Sequence, residues 1–118
     1  MAEQLFVYGT LAPGRPNAHI LADVKGTWTP ATIRGKLIPN GWGAALGYPA
    51  VIPSEDGDLV KGFIFESKEL AEHWQRLDDF EGEGYERVKV TAQYNDGRET
   101  LAFVYALNTH GETVEIST

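Results

Sequence analysis

The 118-residue sequence predicts an α+β fold built on a curved sheet or small barrel. Three observations predict it. Strand-like runs outnumber helical ones. One amphipathic stretch alone reads as a convincing helix. Strands and helices also fail to alternate as a series of βαβ units would require. The length fits one domain over 1–118, large enough to bury a core without covalent staples.

The elements follow in order. Leu5 to Tyr8 reads as a short buried strand from its apolar, aromatic and β-branched content. Proline and glycine make residues 12–17 a loop, and Asn17 can cap a short helix through Leu21. Residues 24–38 alternate loosely, and Pro30 with two glycines predicts a bent or bulged strand pair. The glycine-rich stretch 40–47 leads into a short extended segment fenced by Pro49 and Pro53, and Ser54–Asp58 then reads as a turn. Leu59 to Phe65 is the next strand, its alternation weakened by Lys61 and Gly62. Ser67 is a good N-cap for one main helix from Lys68 to about Asp79, with Leu70, Trp74 and Leu77 as its apolar stripe. Arg87–Tyr94 and Thr100–Leu107 alternate on either side of Asn95-Asp96-Gly97-Arg98, a tight hairpin turn.

Composition removes several classes of function. Seventeen acidic against ten basic side chains give a formal net charge of −7, and no Lys/Arg cluster supplies the patch that phosphates demand. We therefore expect no nucleic-acid partner. The sequence has no cysteine, which excludes disulfides, thiolate metal sites and cysteine nucleophiles. His19, His73 and His110 are scattered without ligand spacing, so no metal is expected. No run approaches the roughly 20 apolar residues of a membrane helix, and Met1-Ala2-Glu3-Gln4 has no signal-peptide character. A soluble, cytoplasmic protein is the expectation. Neither a Gly-x-Ser-x-Gly elbow nor a phosphate-binding Gly-x-x-x-x-Gly-Lys loop is present.

Two short stretches carry the remaining chemistry, and each has two readings. The stripe Leu70–Trp74–Leu77 continues by a step of four to Glu81. If the last turn stays helical, Glu81 lies on the face the core claims, where burial raises a carboxyl pKa and suits it to proton transfer near neutrality. If Asp79-Phe80 ends the helix, Glu81 points into water before Gly82. Periodicity alone favours the second. Likewise, Tyr8-Gly9-Thr10 after a buried strand can form a concavity of N–H groups for a carboxylate, or can be a plain exit from the strand.

Taken together, "FVYGTL" and "LDDFEGEGYERVKV" resemble the γ-glutamylcyclotransferase-like family, which includes γ-glutamyl-amine cyclotransferase and the plant AIG-type proteins. The likeness also takes in "GYPAVIP" and "VKGFIFE", and so spans nearly the whole chain. It implies a small closed or nearly closed mixed β-barrel with one main helix and short flanking helices. It implies that Tyr8, Gly9, Thr10 and Leu11 form the substrate loop and that Glu81 is the catalytic acid/base. Tyr48, Pro49 and Tyr85 are expected around the same opening, with Arg87 pairing to an acidic neighbour. The implied reaction needs neither cofactor nor metal. The α-amine of a γ-glutamyl compound attacks its own γ-amide, giving 5-oxoproline and a free amine or amino acid. The leaving group and the oligomeric state stay open. The alternatives are a catalytically inactive small-molecule-binding module of the same fold and a structural β-domain without a pocket.

Overall fold

Five strands of the computed structural model close into a ring. The structure describes residues 2–8, 19–22, 24–38, 49–82 and 84–107. Its elements are β1 (Glu3–Val7), α1 (His19–Ala22), β2 (Thr27–Ile38), β3 (Ala50–Pro53) and β4 (Asp58–Ser67). A 3₁₀ turn (Leu70–Glu72), α2 (Trp74–Glu81), β5 (Tyr85–Tyr94) and β6 (Glu99–Leu107) follow. β1 runs antiparallel to β4, and β4 antiparallel to β2. β2 meets β5 where Ala31 and Thr32 oppose Tyr94 and Gln93, and β5 runs antiparallel to β6. β6 then returns to β1 in parallel, with Phe103 and Val104 opposite Leu5 and Phe6. β3 lies antiparallel to the end of β2 and parallel to β6 at Ala106. The sheet is therefore mixed and closed, and the predicted α+β barrel is what the chain forms.

Period-two alternation sorts side chains between two cores. Phe6, Ile33, Val60, Ile64, Ala102 and Val104 point inward and fill the barrel. Leu5, Val7, Phe65 and Tyr105 point outward on one side, where Leu21, Leu70 and Leu77 cover them. The helical layer thus packs on the face formed by β1, β4 and β6. This face positions the candidate site.

Two expectations need correction. Residues 24–38 do not form a strand pair; Thr27–Ile38 is one continuous twelve-residue strand. Pro30 is tolerated there because it is exposed and lies where β4 is the described neighbour, before β5 joins at Ala31. Nor does a single helix start from Ser67. Ser67 is the last residue of β4, paired with Glu3, and its hydroxyl donates to the Lys25 carbonyl while accepting the Glu69 N–H. The chain stays extended through Ser67, so a tight 3₁₀ turn must redirect it before α2 can begin at Trp74. The apolar stripe survives the break, with Leu70 and Leu77 both fully buried. The hairpin after β5 forms as expected, closed by Gly97 N–H to the Tyr94 carbonyl and by Asp96 Oδ1 accepting from Arg98 N–H.

Gly62, which spoils the alternation of β4, has a steric reason. A Cβ there would meet the Val7 carbonyl oxygen and come within 2.7 Å of the Phe6 ring. Both belong to the strand paired with β4, so neither yields cheaply. Gly62→Ala is expected to destabilise the protein by about 1–3 kcal/mol, read as a lowered urea midpoint with an unchanged slope.

Candidate active site

α2 is short, and its last turn presents its residues against the usual preference. Phe80 is 41% exposed, whereas Glu81, the final helical residue, is only partly exposed. α2 runs through Glu81, so the carboxyl that spacing alone would leave in water is instead partly buried. Leu77, fully buried in the outer core, sets the rotation of α2, and a step of four carries Glu81 to the same side. Gly82 ends the helix with φ of 76°, its N–H bonded to the Asp78 carbonyl. A side chain at that φ would be strained, so glycine lets the chain leave α2 directly after Glu81. Burial pushes the Glu81 carboxyl up to about 7. The ordinary carboxylate range lies well below this, so Glu81 can hold or release a proton near neutrality.

Tyr8 leaves the end of β1 on the same side. Its hydroxyl donates to the Tyr105 carbonyl at 2.6 Å and accepts the Val51 N–H at 3.1 Å. The ring stacks near Phe6 with centroids 6.3 Å apart. Burial, and then the nearby Tyr85 and Glu81, push its phenol far above the usual range. Tyr8 therefore keeps its proton, both by hydrogen bonding and by electrostatics. At the start of β5, Tyr85 donates its hydroxyl to the Pro49 carbonyl at 2.6 Å, tying β5 to the segment before β3. The structure thus brings Tyr8, Pro49, Glu81 and Tyr85 to one end of the barrel. Gly9, Thr10, Leu11 and Tyr48, the remaining expected site residues, lie outside the described residues.

A third group is centred on Asp78, one turn before Glu81 on α2. Arg87 donates from Nε to Asp78 Oδ1 at 3.0 Å and from Nη2 to Oδ2 at 3.2 Å, so Asp78 is the acidic partner expected for Arg87. Tyr105 Oη donates to the same Oδ1 at 2.6 Å. The guanidinium sits 4.5 Å from the Trp74 ring centroid, and Trp74 meets Phe103 edge to face. Partial burial would raise the Asp78 pKa, but hydrogen bonds from Arg87 and Tyr105 and the Arg87 charge outweigh it and hold it low. Asp78 stays ionised while Glu81, one turn further on, is poised to titrate. The reading of the sequence missed Tyr105, which lies 27 residues from Asp78 and carries no local signal.

A groove of roughly 590 Å³ opens elsewhere, between Arg34, Glu55, Leu59, Lys89 and Leu101, and holds none of the expected site residues. Among the described residues no cluster of metal-ligating side chains converges, and no helix is long and apolar enough to cross a membrane.

The model of the γ-glutamyl cyclotransferase, AIG2-like family matches residues 5–117. This chain belongs to that family. YkqA of Bacillus subtilis is 32% identical to it over 111 residues, which are 94% of this chain and 37% of YkqA. The chain thus spans well under half the length of that relative. The crystal structure of YkqA covers all of this family member at a TM-score of 0.69 and 26% identity, over 44% of the YkqA chain. A mouse AIG2-like protein matches at a TM-score of 0.70 and 24% identity, covering 92% of this chain and 79% of its own. The human protein LOC79017 matches at 0.72 and 21% identity, covering 91% and 67%. At those identities the mouse and human structures establish the γ-glutamylcyclotransferase fold alone.

Proposed function

We propose that the protein is an enzyme of γ-glutamylcyclotransferase type, converting a γ-glutamyl amide into 5-oxoproline and a free amine or amino acid. The observation that carries this reading is Glu81: a carboxyl raised by burial to about 7, beside Tyr8 where β1 opens into the expected substrate loop. The γ-glutamyl group brings its own nucleophile. Its α-amine lies where bending the chain closes a five-membered ring on the γ-carbonyl. Orienting such a pair is worth an effective molarity on the order of 10⁵–10⁸ M, so no side-chain nucleophile is needed.

Proton traffic then defines what the protein must do. The Glu81 carboxylate takes a proton from the α-ammonium, and the freed lone pair forms the new N–C bond. As the tetrahedral intermediate collapses, the bond to the leaving nitrogen breaks and Glu81 returns the first proton to that nitrogen. The second proton shed by the attacking nitrogen passes through the same carboxylate to the departing amine, so the lactam keeps one N–H and the amine leaves as ammonium. Tyr8 is unsuited to this task because its hydroxyl proton is held by the Tyr105 carbonyl. Its part is to brace the start of the loop, while Gly9, Thr10 and Leu11 take the glutamyl α-amino-acid end by resemblance to the family. Pro49, Tyr48 and Tyr85 are assigned to the wall of the opening.

The test is product analysis with γ-glutamyl amino acids, a γ-glutamyl dipeptide and Nε-γ-glutamyl-lysine. At least one is expected to yield 5-oxoproline and an equal amount of released amine. Binding of any of them without product would favour a non-catalytic binding module of the same fold. Absence of both product and binding would overturn the reading.

A further inference from the structure

Glu81 sits on the last turn of a helix of only eight residues, and so short a helix does not hold its own end in place. Something outside α2 must. Asp78 lies one turn before Glu81 and receives three hydrogen bonds from two different strands: two from Arg87 on β5 and one from Tyr105 on β6. The Tyr105 backbone carbonyl also accepts from Tyr8. One residue of β6 therefore ties both the helix that carries Glu81 and the residue at the mouth of the loop. The Trp74 and Phe103 rings, which meet edge to face, both pack against the Arg87 guanidinium, with centroids 4.5 and 5.3 Å from it.

We propose that Asp78, Arg87 and Tyr105 are positioning residues for the Glu81 carboxylate, fastening the end of α2 to β5 and β6 so that Glu81 stays out of water and in register with Tyr8. This rests on the reading of Glu81 as the proton-transfer group. The magnitudes favour a geometric role over a stabilising one. The Asp78 side chain is 40% exposed, and an ion pair at that exposure contributes about 0–1 kcal/mol. The bidentate fork and the added phenol nevertheless define the carboxylate's plane and distance, which a point charge would leave free. A displacement of about 1 Å at a reacting group costs on the order of 10²-fold in rate.

The experiment uses two charge-conserving variants of the full chain, Tyr105→Phe and Arg87→Lys, so that any change at Glu81 reports geometry. Tyr105→Phe keeps the ring in the outer core and removes only the bond to Asp78. Arg87→Lys keeps the cation and loses the fork. Titration of Glu81 by carboxyl ¹³C NMR is the primary readout. Tyr8 of β1 and Tyr105 of β6, which interact electrostatically with Glu81, are followed alongside, with Asp78 on its own helix and Tyr85 and the Arg87 charge on β5, the strand packed against that helix. In both variants the Glu81 midpoint is expected to fall by about one pH unit or more as water reaches the carboxyl. With a turned-over γ-glutamyl substrate, kcat should fall about 10–10²-fold and KM little. A lowered Tm with an unmoved Glu81 midpoint and unchanged kcat in either folded variant overturns the proposal. The NMR readout needs no turnover. A wild type that makes no 5-oxoproline, with a midpoint that still moves in the variants, defeats the reaction while the positioning role stands.

Discussion

Glu81→Gln is expected to lower 5-oxoproline formation by about 10²–10⁴-fold, the usual loss when a general acid–base group is removed. The substitution keeps the size and hydrogen-bonding capacity of the side chain and deletes only its ability to carry a proton. The chain has no cysteine to substitute for it, and Tyr8 and Tyr105 are held protonated by burial and their hydrogen bonds. Binding of the γ-glutamyl compound should persist, because the reading assigns its grip to the loop that starts at Tyr8. Glu83→Gln and Glu86→Gln are the controls. Both are close in sequence, and neither continues the stripe of Leu70, Trp74 and Leu77. Glu86 is exposed on β5. Each should retain most activity, measured as kcat/KM on the substrate that the product survey identifies. Comparable losses in all three would assign the requirement to local charge rather than to one base.

The second large effect is on stability as a function of pH. The Glu81 carboxyl titrates near 4.5 when free and about 7 in the fold. Between those values the folded protein holds a proton that the unfolded chain has released, so raising the pH favours unfolding. The group's contribution is fully present below about pH 4.5, is lost through about pH 7, and is constant above it. At 1.36 kcal/mol per pH unit the loss reaches at most roughly 3 kcal/mol. Glu81→Gln lacks this titration. Its stability relative to the wild type should therefore improve from pH 4.5 to pH 8, read from urea midpoints across the range. Parallel curves for the two proteins would mean that the carboxyl is not desolvated. The same ionisation should give kcat/KM an ascending limb that flattens above about pH 7, since only the carboxylate accepts a proton.

The removal of a charged end from water explains why Glu81 was ambiguous in the sequence and clear in the fold. Periodicity places it on the side of Leu70, Trp74 and Leu77, but it could not tell whether the helix reaches that far. The local alternatives differ by only one or two residues at the end of the helix. The structure exposes Phe80 and turns Glu81 inward. Spacing alone left the end of the helix open, and the fold carries α2 through Glu81.

Local pattern by itself determined the strand-rich α+β composition, the stripe of α2, the Asn95–Arg98 hairpin, and the two short motifs whose pairing marks the family. Each depends on residues within a few positions of one another, where spacing and backbone preference act directly. Tertiary structure decided the rest. The parallel pairing of β1 with β6 closes the barrel, and the Tyr8 hydroxyl reaches a carbonyl 97 residues away. Ser67, a good cap by composition, became the end of a strand because Glu3 pairs with it. Asp78, Arg87 and Tyr105 meet only because α2 lies across β5 and β6. A sequence spells out donors and acids, but burial and distance are properties of the closed ring, and they set which carboxyl is held low and which is raised.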